Sequence, residues 1–330
     1  MTSLSTTYLG LKLRNPLVVS SSSLTDSPDK LQRLQEAGAG AVVLKSVFEE
    51  QIELEAQKLD QSLNAAEELS AEATRMFADI PFDVGPGEYL NLVEKSKRAV
   101  SIPVIASMNC LHGGKWGAFA KKIASAGADA LELNLYSLQT NPEKTGAQVE
   151  NEYLDAVSEV RAAVRIPLAI KLSPFFSSIP NMVAQLAARG ANAAVLFNRF
   201  FQPNLDIFAM KSVARLHLSQ PDDALLPLRW IGLLHGRVPN IELAATSGIL
   251  DGQTALKMIL AGARVSMVCS AIFRNKEQHL THMLAEMEAW MRAKEYQSID
   301  EVRGILSQKS NPEAQAFERS QYIKSLVGFD

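Results

Sequence analysis

Two lysines and a scatter of hydroxyl and amide side chains hold most of the chemistry this sequence can perform. Lys45 closes the apolar run AVVLK, with Ser46 beside it, and Lys171 closes LAIK, two residues before Ser173. Burying an ammonium costs several kcal/mol unless it is paired or wet, so two of them in equivalent places point to an anionic ligand. A lysine whose head merely snorkels to solvent is an easier account of one such residue than of two. Either amine could also form a Schiff base with a carbonyl substrate, the chemistry of an aldolase-type barrel, which borohydride trapping would reveal. Other apolar runs end in Ser20–Ser23, Ser107-Met108-Asn109, Asn134-Leu135-Tyr136-Ser137, Asn198-Arg199, Thr246-Ser247-Gly248 and Cys269-Ser270. The last two lead into TSGILDGQTAL and CSAIFRN, where small residues precede a helix whose first amides are expected to face the loop. That is a phosphate cradle.

Other candidates carry less. His279 and His282 lie three apart on a helical stretch with no third ligand, which favours a surface position over a metal. Glu132 alternates with Leu131 and Leu133 and reads as a hydrogen-bonded group inside the fold. Cys110 follows a strand and reads as a small buried residue. No glycine-rich dinucleotide turn, P-loop or metal-spaced cysteine pair occurs.

The elements that must position these residues repeat along the chain. Helical stretches end in Gly-Ala before AVVLK, ALELN, AAVLFN and VSMVCS, and Ile-Pro or Val-Pro-Asn precedes VIAS, LAIK and IELAAT. Glycine closes a helix in the left-handed region, and proline is tolerated where a strand begins. Strands are expected near Leu17, Ala41, Val104, Ala130, Leu168, Ala193, Ile241 and Val265. Several starts are about 25 residues apart, the length of one strand, one helix and two short loops. Ser27-Pro28 opens a helix with Leu31 and Leu34 on one face, and another sets Phe119 four residues before Ile123. Eight strands alternating with helices specify an α/β fold, a (β/α)8 TIM barrel. A doubly wound open sheet is the competitor.

Three stretches exceed the minimal barrel. Residues 49–100 form an insertion after the second strand, acidic and helical from Glu49 to Ala78, then turn-rich through IPFDVGPG. Asn198–Ile241 carries Pro203, Pro221 and Pro227 and reads as a long loop with one short helix; such loops often line a binding site. Residues 295–330 read as a C-terminal helical extension. All belong to a single domain of 1–330.

Composition narrows the classes of function. With 33 basic and 36 acidic residues in 330 the net charge is −3, which gives no footprint for nucleic acid. No apolar run has the ~20 residues of a membrane helix, and the N-terminus has no signal-peptide pattern. Two cysteines make no disulfide framework, so a reducing cytoplasm is the expected location.

The segments LGLKLRNPLVVSSS, VVLKSVF, LELNLYS, IKLSPFF and TSGILDGQTALKMILAGARVSMVCSAIF, with KEYQSIDEVRG near the end, follow one another as in dihydroorotate dehydrogenases. Across roughly residues 5–305 the chain resembles that family, and the soluble class more than the membrane-associated one. The resemblance implies an FMN-binding barrel that oxidises dihydroorotate or a related cyclic amide in pyrimidine biosynthesis. A base removes the C5 proton while hydride passes from C6 to flavin N5. It also implies site residues. Ser21, Lys45, Ser46, Asn134 and Lys171 would contact the flavin, Ser247, Gly248, Cys269 and Ser270 its phosphate, and Asn134, Gln139 and Asn198 the substrate. The base position falls on Ser137, where the soluble class has cysteine, and the proline and asparagine that normally follow are absent. The family's substrate loop falls on FDVGPGEY, Phe82–Tyr89, and its glycine cluster after strand six is replaced by ALLPLRW. A member that has kept FMN but lost this activity is a second expectation. The electron acceptor is unspecified; NAD would need a partner subunit, because two cysteines cannot ligate an iron–sulfur cluster. A homodimer is plausible from the family.

Overall fold

The computed structural model describes residues 2–48, 50, 86–110, 116–135, 137–199, 202–213 and 217–310. Eight parallel strands form a closed barrel: β3 (Leu17–Val19), β4 (Ala41–Val43), β6 (Val104–Cys110), β7 (Ala130–Leu135), β8 (Leu168–Leu172), β9 (Ala193–Leu196), β12 (Glu242–Thr246) and β13 (Val265–Val268). They pair in the order β4-β3-β13-β12-β9-β8-β7-β6, and β4 joins β6 to close the ring. All eight expected strands are present, and closure excludes the open doubly wound sheet. The short β5 (Val47–Phe48) prolongs the pairing along β6.

Two-residue periodicity decides what each strand points where. Leu131, Leu133 and Leu135 pack outward with the helices, whereas Ala130 joins an interior cluster with Val18, Val43, Ile105, Ala169, Val195, Ala244 and Met267. Stepping by two from those interior positions gives Ser20, Lys45, Ser107 and Asn109, Glu132 and Asn134, Lys171 and Ser173, Thr246, and Cys269. The barrel interior is therefore apolar and small toward the strand starts and polar toward their ends. An antiparallel hairpin, β1 (Thr6–Tyr8) with β2 (Leu11–Leu13), adds Tyr8 and Leu9 to the interior cluster. Leu9 N donates to Glu242 Oε2 at 2.6 Å, at the first residue of β12, so the hairpin closes the N-terminal mouth. The sequence pattern does not betray it.

Helices coat the barrel: α1 (Pro28–Glu36), α2 (Pro86–Ala99), α3 (Trp116–Ser125), α4 (Gly146–Ala163), α5 (Ile179–Ala188), α6 (Leu225–Leu234), α7 (Gly252–Ala261), α8 (Ser270–Asn275), α9 (His279–Ala293) and α10 (Ile299–Val302). In α1, Ser27 is extended and Pro28 takes the first helical position, with Leu31 and Leu34 buried; in α3, Phe119 and Ile123 are buried as their spacing requires. Each such side chain contributes about 1.5–3 kcal/mol of apolar burial. No helix among the described residues is long and apolar enough to cross a membrane.

The irregular stretches differ from expectation. The Asn198–Ile241 excursion contains a hairpin, β10 (Asn204–Asp206) with β11 (Lys211–Val213), and a 3-10 turn at Pro221–Ala224 that runs into α6. Pro86–Tyr89, the end of the expected substrate loop, is the first turn of α2, because Tyr89 anchors it in the core. Of the extension, 295–310 holds only the short α10 before further turns. The helical part of the insertion (51–78), residues 82–85 of the expected substrate loop, Tyr136 and residues 311–330 lie outside the described residues.

Candidate active site

Register fixes one level near the C-terminal mouth. Asn109 on β6 is paired with Asn134 on β7, Asn134 with Lys171 on β8, and Lys171 with Val195 on β9. One step below, Glu132 projects into the same interior, 1% exposed, with Oε1 3.8 Å from Lys171 Nζ. Burial pushes the Glu132 carboxyl up, against the pull of the Lys171 charge. Its Oε2 makes no hydrogen bond among the described residues, so the glutamate is interior as expected but only half satisfied.

A cavity of about 350 Å³ opens on this level, within the roughly 300–1,000 Å³ of small-molecule sites. Lys171 forms part of its wall with Ser21, Asn198, Ser247, Gly248, Cys269 and Ser270, seven of the twelve residues singled out above. Arg199 and His217 also line it, so its second full positive charge comes from Arg199 rather than Lys45. Arg199 donates to His217 O at 2.8 Å and lies 3.5 Å from Asp223. Ser20 lines the cavity as well, 5% exposed, and its Oγ has no protein partner among the described residues. A buried hydroxyl left this way costs about 1–3 kcal/mol, which a polar ligand would recover.

The phosphate-type loops are built differently from the expected pair of helix N-termini. Ser247 and Gly248 both have positive φ, 82° and 67°. A Cβ on Gly248 would stand 2.3 Å from Ala224 N, so glycine is required by conformation and by the close approach of the Pro221–Ala224 turn. At the start of α7, however, the Asp251 carboxylate accepts from Thr254 N at 2.6 Å and Glu286 Oε2 from Gly252 N at 2.7 Å. Those amides are taken by the chain's own carboxylates. The eighth loop is open in that respect: Cys269 begins α8 without a side-chain cap. Ser270 Oγ accepts from Ser219 N at 2.9 Å and Ser219 Oγ at 2.8 Å, which leaves its own proton to donate. Arg274 holds that arrangement through Ser219 O at 2.9 Å. Ser219 follows from no motif; it replaces a backbone-only cradle with a hydroxyl one. Burial pushes the Cys269 thiol up, opposed by a hydrogen bond from Ser22 and by the Lys171 charge.

The remaining predicted residues sit outside the cavity wall. Asn134 is tied to it by Asn198 Nδ2, which donates to Asn134 Oδ1 at 3.0 Å. Ser46 is tied to it by a chain of hydroxyls: Ser21 Oγ to Ser46 Oγ, 3.0 Å, and on to the buried Ser107 Oγ, 2.7 Å. Tyr89 locks the end of that chain, donating to Ser107 O at 2.9 Å and accepting from Ser107 N at 2.7 Å. Lys45 is half-buried, its backbone N bonded to Thr25 O. Ser137 and Gln139 form a separate group in the loop after β7, with Gln139 Nε2 donating to Ser137 Oγ at 2.5 Å. His279 Nε2 lies 2.8 Å from Leu250 O, and no cluster of metal-ligating side chains occurs among the described residues.

Comparison with known proteins identifies the family. The family model for dihydroorotate dehydrogenase matches residues 82–291. A protein of Thermoplasma volcanium named dihydroorotate dehydrogenase B (NAD(+)), catalytic subunit, is 27% identical over 316 residues, 92% of this chain and 99% of the relative. Proteins of the same name from Thermoplasma acidophilum and Methanothermobacter thermautotrophicus are each 26% identical, over 92% of this chain and 99% and 98% of their own lengths. With the barrel closed, its polar mouth built from the expected strand ends and well over half the chain matched, this protein belongs to the dihydroorotate dehydrogenase family.

Proposed function

We propose that the chain is an FMN-dependent oxidoreductase acting on dihydroorotate or a related cyclic amide. The observation that carries this reading is the cavity itself: one wall holds a nearly buried lysine, the hydroxyls of Ser219, Ser247 and Ser270, and an unsatisfied Ser20 hydroxyl. That donor set suits a group with a polar ring edge at one end and a phosphate at the other. When bound, FMN would supply a two-electron acceptor that takes hydride at N5.

The chain's own residues do the rest. Lys171 and Ser21 would hold the ring system, with Asn134 behind them bonded to Asn198, and Lys171 would place fixed positive charge beside it, which favours the electron-rich form. Glu132 beneath keeps that ammonium from withdrawing. Ser247, Gly248 and Ser270 would hold the phosphate, with Arg199 as a second nearby charge. Asn198 and Asn134, already bonded to each other, offer one amide surface to a cyclic amide substrate. Ser137 would take the C5 proton, with Gln139 on its oxygen. An acceptor for the electrons would lie outside the chain, and the relatives' designation as catalytic subunits supports a partner subunit carrying it.

The test is anaerobic mixing of the flavin-loaded protein with dihydroorotate, followed by flavin absorbance. Bleaching within the mixing time supports the full reading. Flavin that binds and stays oxidised removes dihydroorotate as substrate and favours the second reading, an FMN-binding member with other chemistry. The separation of Ser137 from the cavity wall is the observation that speaks for that outcome.

A further inference from the structure

A serine hydroxyl is a poor base unless its surroundings favour the charged form. The hydrogen bonds that reach Ser137 among the described residues come from Gln139 and Tyr153. Tyr153 has no counterpart among the residues singled out from the sequence. It lies on the buried face of α4, 6% exposed, beside Leu154. Its ring packs edge-on against Phe176, centroids 6.1 Å apart at 74°, and a capping box between Thr145 and Gln148 fixes where the helix begins. From there the Tyr153 hydroxyl donates to Ser137 O at 3.3 Å.

We propose that Tyr153, with Gln139, is a positioning residue for Ser137: the pair fixes the serine oxygen in one orientation and favours negative charge on it. This rests on the assignment of Ser137 as the base. Gln139 already donates to Oγ, and the Tyr153 hydroxyl can turn from the carbonyl to Oγ without moving its ring. Hydrogen bonds to a charged oxygen favour its deprotonated form. Burial pushes the Tyr153 phenol up, so it stays protonated and serves as a fixed donor rather than a titrating relay. A tyrosine with a purely structural role would need only its packing against Phe176; the bond to Ser137 is what couples it to the chemistry.

The inference can be tested without substrate. In full-length Ser137→Cys protein, alkylation of the introduced thiol by iodoacetamide is followed against pH by peptide mass spectrometry. We expect the thiol to titrate below the ordinary value of about 8.5. Adding Tyr153→Phe, which keeps the ring against Phe176, or Gln139→Leu should each cut the alkylation rate at pH 7 by about tenfold. A titration that neither change moves overturns the inference. A separate comparison isolates the underlying reading: Ser137→Ala should stop reduction of the flavin by dihydroorotate. If Ser137→Ala reduces normally, the base assignment falls and takes this role of Tyr153 with it. If Ser137→Ala is inactive but the thiol ignores Tyr153→Phe, only the positioning role falls.

Discussion

The two sides of the barrel mouth are built by different means. On the side of β8, β9, β12, β13 and β3, side chains converge on a cavity and are held by many cross-links, some within that side, Ser219 to Ser270 and Gly248 against Ala224, and some to side chains within strand β7 itself, Lys171 to Glu132 and Asn198 to Asn134. On the side of β7, Ser137 is held locally, by a residue two positions along and by a tyrosine on the next helix. A site made of strand ends inherits the rigidity of the barrel, whereas a site made on a loop can change without disturbing it. By that difference the 137–139 loop is free to vary while the cavity side keeps its geometry.

Two substitutions would break the comparison if it is wrong, and they have the largest expected effects. Ser137→Ala should lower dihydroorotate-driven flavin reduction by about 10²–10⁴-fold while flavin content and Tm stay at wild-type values. Lys171→Ala should do the reverse, losing flavin and destabilising the fold by about 3–5 kcal/mol, because it strands Glu132 as a buried carboxyl without its counter-charge. The double variant Lys171→Ala with Glu132→Gln should recover part of the stability but not the flavin. Equal flavin loss in Ser137→Ala and Lys171→Ala would show that the two sides are one unit. Gly248→Ala sharpens the same contrast at smaller scale. A Cβ there meets the Ala224 backbone in a conformation with φ of 67°, so unfolding should show a loss of about 1–3 kcal/mol, with weaker flavin retention and no change in the alkylation of a thiol at 137.

How much of this is legible in the sequence follows the same division. The strands, their order and the polar ends can be read because continuous apolar runs, the prolines before them and helix-closing glycines leave marks in the sequence; Lys171, Asn134 and Asn198 stand out from that pattern as strand-end residues. The β1–β2 plug leaves no mark, since TTY and LKL are neither apolar runs nor preceded by the Gly-Ala and proline signals of the barrel strands. The α7 N-terminus reads as free because the residue that occupies Gly252 N, Glu286, comes from α9, 34 positions on. Ser219 and Tyr153 escape the pattern for a related reason. One is placed by a turn that no motif announces, the other reads as an ordinary apolar position on an amphipathic helix. Sequence shows what a strand ends with; it does not show which distant hydroxyl or carboxylate arrives to satisfy it.

Cys269 gives the finest probe of the cavity side. Its thiol is pushed up by burial and pulled down by Ser22 and by the Lys171 charge, so at neutral pH it is protonated and slow to react. The alkylation rate should rise with pH only above the ordinary thiol range of about 8.5. Removing a neighbouring cation raises a thiol further; Lys171→Ala should therefore slow alkylation at pH 8 by a few-fold, whereas Ser137→Ala leaves it unchanged. Riboflavin 5′-phosphate should protect the thiol in wild-type protein, because Cys269 lines the cavity. A thiol that reacts at pH 7 like a free cysteine, or that the nucleotide fails to shield, would mean that the space beside Lys171 is open to solvent and not the place where the flavin is held.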